Sequence, residues 1–187
     1  MANETLVRDV VLLSYKAFGG TMHGRTILQK RVYFLSVCLR EDLGYEAHYY
    51  GPYSNEVGSA NAEMKSLGFL LELPLGYGVD RRGFEMARYD CKLTEAGSRL
   101  AEKKAAAAPQ LWERIKDAAR VINDAGNLNY MELSIAAKMY YVLMHLKRTA
   151  TLDDISKMLP RFGWSVSTEE LQKAALFLEK TGLIKHA

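Results

Sequence analysis

Phe69-Leu70-Leu71-Glu72-Leu73, then Pro74 to Gly83 with three glycines, one proline and Asp80-Arg81-Arg82, then Phe84 to Leu93: the reading of this stretch decides the fold. The first run is short and apolar, as a strand is, and the second has the composition of a hairpin turn. In the third, Phe84, Met86, Arg88, Asp90 and Lys92 alternate with Glu85, Ala87, Tyr89, Cys91 and Leu93, so the two sets point to opposite faces. A two-stranded hairpin follows. Thr94-Glu95-Ala96-Gly97 then opens a helix into Leu100 and the Ala105–Ala108 run.

Working back from the hairpin, three helices precede it. Leu6, Val10, Leu13 and Ala17 share one helical face between Thr5 and Phe18, and Gly19-Gly20 ends that helix. After a turn at Gly20-Thr21-Met22-His23-Gly24, a second helix is expected over Arg25–Asp42. Its stripe of Leu28, Val32, Leu35 and Leu39 is widened by Ile27, Phe34 and Cys38, the mark of a centrally packed helix. Tyr45-Glu46-Ala47-His48-Tyr49 is short and alternating, an extended segment that Gly51-Pro52 breaks. Ser54 caps a third helix, which ends at Leu67-Gly68.

Three helices and then a hairpin is the order of a winged helix-turn-helix. Two motifs strengthen it. Gly24-Arg25-Thr26-Ile27-Leu28-Gln29-Lys30-Arg31-Val32-Tyr33-Phe34-Leu35 resembles the "G-R-T-x-L-Q-K-x-V-Y-x-L" helix of small winged-helix proteins of the YwgA kind. Tyr50-Gly51-Pro52-Tyr53-Ser54-Asn55-Glu56-Val57 is similar to the "Y-G-P-[YF]-S-x-E-[LV]" lead-in to their third helix, a pattern shared with the Panacea-type antitoxin domain. Lys92-Leu93-Thr94-Glu95-Ala96-Gly97 is similar to the "x-L-T-x-x-G" exit from the wing in many winged-helix regulators. The resemblance spans roughly residues 5–105 and implies a non-catalytic regulator or antitoxin-like protein, without naming what is bound.

Downstream, Trp112, Ile115, Ala119 and Ile122 stripe a helix from Pro109 to Asp124. Asn129 and Glu132, Thr151 and Asp154, and Ser167 and Glu170 have the spacing of capping boxes that open three further helices. Thr181-Gly182-Leu183-Ile184 repeats the helix, glycine, apolar-strand exit of the third helix. The expected class is mainly α with a small β hairpin (α+β). A winged-helix domain over 1–108 and a connecting helix over 109–128 lead into a wingless, helix-turn-helix-like unit over 129–187, all in one compact chain.

The 187 residues are 49% hydrophobic and 25% charged, which excludes fibrous and disordered classes. Two cysteines are too few for a disulfide scaffold and fit a reducing setting. With no long apolar run and no basic-then-apolar start, a cytoplasmic chain that does not engage membranes is expected. The formal net charge of +3 does not mark a nucleic-acid binder. Moreover, the third helix carries Glu56 and Glu63 against Lys65, and the segment Ser167–Thr181 carries Glu169, Glu170 and Glu179 against Lys173 and Lys180. Each is net −1 where a reading helix meets phosphate, which counts against sequence-specific DNA reading.

DNA association therefore falls to Arg25, Lys30 and Arg31 of the second helix and Arg81-Arg82 at the wing tip, as weak, salt-sensitive contacts. The alternative is an adaptor or antitoxin-like module in which Tyr50, Tyr53 and Glu56 hold a protein partner, a toxin or a regulator. Tyr45, Tyr49, Tyr50 and Tyr53 either serve such contacts or, for Tyr45 and Tyr49, pack on the core. A homodimer through the Leu111–Ile122 helix is a further candidate, by analogy alone. Enzymatic chemistry has little support. His23, His48, His145 and His186 are scattered, no nucleophile elbow, phosphate loop or metal spacing occurs, and Cys38 and Cys91 read as packing residues. No cofactor is expected.

Overall fold

A computed structural model describes residues 3–79 and 85–185. Its elements are α1 (Glu4–Ala17), β1 (Thr21–Met22), α2 (Arg25–Leu39), β2 (Tyr45–Glu46), β3 (Tyr53–Ser54), α3 (Asn55–Ser66), β4 (Leu70–Val79) and β5 (Glu85–Leu93). They continue with α4 (Glu95–Ala107), α5 (Pro109–Ala125), α6 (Tyr130–Leu146), α7 (Leu152–Met158), a 3-10 turn (Leu159–Phe162) and α8 (Thr168–Lys180). The molecule is mainly helical with a small antiparallel sheet, an α+β protein. Among the described residues, no helix is long and apolar enough to cross a membrane.

Local chemistry sets the ends of these elements. Asn3 Oδ1 accepts from the Thr5 and Leu6 amides at the start of α1. Ser54 Oγ accepts from Val57 N (3.0 Å) and Thr94 Oγ1 from Gly97 N (3.0 Å), opening α3 and α4. All three capping boxes form, with the Glu132, Asp154 and Glu170 carboxylates reaching back to the amides of Asn129, Thr151 and Ser167.

The sheet differs from the expected hairpin by one strand. Thr21 and Met22, read as a turn, pair with Lys92 and Cys91, giving the order β1-β5-β4. Met22 is wholly buried, and that burial fixes the pairing. The expected extended segment Tyr45–Tyr49 shortens to a two-residue ladder with β3. The His48 carbonyl leaves it to accept from Gly51 N (2.9 Å) and Trp164 Nε1 (2.7 Å). After Gly182 no strand follows among the described residues; Leu183 and Ile184 pack onto the core instead.

The core is continuous across the boundaries drawn at 108 and 128. Val10, Leu13, Leu28, Phe34, Ile115, Ala119, Ala136, Leu171 and Leu178 belong to one buried cluster. Phe34 of α2 meets Phe177 of α8 edge to face at 5.6 Å, and Tyr33 meets Tyr140 of α6 at 6.4 Å. The apolar stripe of α5, Ile115, Ala118, Ala119 and Ile122, is spent inside the same molecule. Its outer face carries the ion pairs Lys116–Glu113 (2.7 Å) and Arg120–Asp117 (3.1 Å). An apolar dimer seam on that helix is therefore already filled from within.

Candidate functional site

The three basic residues of α2 expected at a nucleic-acid surface do not form one. Lys30 is 1% exposed, and its Nζ donates to the Pro52 carbonyl at 2.6 Å. Burial first, and then the nearby Lys138 ammonium, push its pKa down to about 7. Expected among the phosphate contacts, it is instead sealed beneath the Tyr50–Ser54 segment by packing that no local pattern announces. Arg31 is half-buried, with its guanidinium 4.5 Å from the Phe18 ring centre and Nη1 3.7 Å from Met22 Sδ; burial lowers its pKa. Arg25 alone stays well exposed, at 69% of its side chain. It pairs with Glu72 (3.4 Å) and lies over the Tyr89 ring. Arg81 and Arg82 lie outside the described residues.

The two motifs turn out to hold each other. Gln29 Oε1 accepts from Ser54 N (3.1 Å) while its Nε2 donates to Ser54 O (3.0 Å), and the Tyr45 hydroxyl donates to Gln29 O (2.8 Å). With the Lys30–Pro52 bond, the Gln-Lys pair clamps the whole Gly-Pro-Tyr-Ser turn. Gly51 has φ +93°, and a Cβ there would lie 3.1 Å from Lys138 Cγ and 3.3 Å from the Ser134 carbonyl, so the turn also touches α6. Tyr45 is half-buried by this arrangement, while Tyr49 is 59% exposed, its ring 4.8 Å from that of Tyr50. Tyr53 is half-buried beside His48, and Glu56 faces solvent with a carboxylate oxygen 3.2 Å from Ser54 Oγ.

The solvent face of α3 carries Asn55, Glu56, Ser59, Ala62 and Glu63. Its lysine, Lys65, is half-buried and donates to Glu72 at 3.0 Å, while Glu63 accepts from Arg8 at 2.7 Å. Beyond α3 an apolar surface begins that the sequence reading missed. Leu67 is 60% exposed, and Leu71, Leu73 and Leu75 stand out along edge strand β4, whose Leu70 is buried and whose Glu72 turns to Lys65. The signal was present as alternation, but leucines in a strand read equally well as core.

The described histidines stay apart: His23 Nδ1 is 2.8 Å from Asp90 Oδ2, His48 lies against Tyr53, and His145 against Tyr141, while His186 lies outside the described residues. Among the described residues no group of three or more histidine, cysteine or carboxylate side chains is placed to hold a metal ion. No protein-family model and no curated protein matches the chain.

Proposed function

We propose that the chain is a non-catalytic regulatory protein of winged helix-turn-helix type that works chiefly by holding a protein partner. The frame would be α1, α2 and α3 with the β4–β5 hairpin as the wing; the order of elements and the resemblance to YwgA-type proteins and to the Panacea-type antitoxin domain support it. The observation that carries the choice of partner is the α3–β4 surface. On that face Arg8 and Lys65 are already tied to Glu63 and Glu72 and the remaining Glu56 repels phosphate, whereas four exposed leucines beside it suit a protein surface. Pro74 and the bulge between Pro74 and Gly76 blunt the open edge of β4 against strand addition, so a partner engages the leucine face.

A second reading, weak nucleic-acid association without base reading, is favoured by the exposed Arg25 and Lys92. The two separate cleanly. A stoichiometric protein is expected to co-purify from the native host, to leave in Leu71→Asp/Leu73→Asp, and to remain in Arg25→Ala. Salt-sensitive binding to a mixed-sequence duplex that Arg25→Ala removes, with no partner protein recovered, overturns the first reading in favour of the second.

A further inference from the structure

A cleft of about 240 Å³ opens between α2, the end of α5 and the start of α6, walled by Arg31, Asn123, Asn127, Ile122, Leu128 and Leu133. Arg31 is its unusual member. The guanidinium lies over the Phe18 ring, 4.5 Å from its centre, and gives one N–H to the Met22 thioether, a weak acceptor. Among the described residues no carboxylate pairs with it, and burial is what lowers its pKa. A partly desolvated cation without an anion is costly, and a planar guanidinium presents a fork of donors that a carboxylate matches in two parallel bonds.

We propose that this cleft binds a small monocarboxylate with an apolar body, its carboxylate on the Arg31 guanidinium and its body against Ile122, Leu128 and Leu133. One unpaired cation calls for one negative charge, and the three aliphatic walls disfavour a second. The Asn123 and Asn127 amides offer neutral donors to the carboxylate oxygens without adding charge. The volume, below the ~300 Å³ where drug-sized pockets begin, suits a ligand of monocarboxylate size. The site joins α2 to the α5–α6 connection, is separate from the leucine face of β4, and does not rest on the partner reading.

The probes are benzoate, its neutral isostere benzamide, and inorganic phosphate, titrated into the full chain by calorimetry and thermal unfolding. Benzoate is expected to bind saturably and raise the Tm, benzamide to do neither, and phosphate to compete weakly. Arg31→Gln is expected to lose about tenfold or more in benzoate affinity, and Arg31→Lys, which keeps the charge without the fork, to lose less. Because Arg31 also packs on Phe18, Asn127→Asp provides a second route. A carboxylate beside the guanidinium is expected to raise the Tm of the unliganded protein and to abolish benzoate binding. Several results overturn the proposal: no saturable benzoate binding, benzamide binding equal to benzoate, phosphate binding equal to benzoate, or benzoate affinity unchanged in Arg31→Gln.

Discussion

Lys30 shows how far one residue can depart from its usual place. A lysine ammonium is normally solvated, yet this one is covered and bonded to the Pro52 carbonyl. In the unfolded chain its pKa is about 10.4. Folded, it falls to about 7. Between those values the unfolded state binds more protons than the folded one, so stability rises as pH rises. The slope from this group reaches at most about 1.4 kcal/mol per pH unit. Above about 10 the gain reverses, because burial holds the Tyr15, Tyr33 and Tyr45 hydroxyls protonated in the fold while unfolded tyrosines ionise. Thermal unfolding of the natural protein is thus expected to show a Tm that climbs from pH 7 to 9. Lys30→Met, which keeps the aliphatic length, is expected to flatten that climb. Its advantage over the natural protein should be greatest near pH 6 and shrink toward pH 9; an unchanged slope in the variant rules out Lys30 as its source.

At the scale of elements, the motifs that looked like a binding signature are largely joints. Gln29 and Lys30 of α2 clamp the turn that launches α3, and Gly97 does the same service for α4. A Cβ on Gly97 would lie 2.0 Å from the Phe69 carbonyl oxygen and 2.9 Å from its carbon, at the point where the chain leaves α3 for β4. Glycine to alanine inside a helix ordinarily stabilises by about 1 kcal/mol. Here the contact is with backbone that has little room to move, so Gly97→Ala is expected to destabilise by about 2–3 kcal/mol in urea unfolding. A gain in stability would show that α4 can shift away from that junction freely. The threonine and glycine of this segment were legible as a motif, because caps are local. The reason for the glycine was not, since it depends on a carbonyl 28 positions earlier in the chain.

For the whole molecule, the boundaries at 108 and 128 mark changes of element while the core runs through them. The rings of Phe34 and Phe177 meet, and the Trp164 indole donates to the His48 carbonyl at 2.7 Å, so α2 and its turn are packed by side chains from the far end of the chain. Phe177→Ala is expected to cost about 3–5 kcal/mol and to lower hydrogen-exchange protection in α2 as much as in α8. Protection lost in α8 alone would show two independently stable units.

The sequence by itself determined where elements begin and end: the Asn129, Thr151 and Ser167 boxes, the Gly68 stop and the helical stripes all rest on contacts within a few residues. It also determined that α3 is acidic, a matter of composition. Only the tertiary structure decided which charges and apolar groups remain available. Lys30 is closed off by Pro52 and lies near Lys138, more than a hundred positions downstream. Arg31 is turned into a cleft closed by α5 and α6, and Leu71, Leu73 and Leu75 are left outside. Exposure is a property of what packs on a residue, and for these residues the packing partners are distant in the chain.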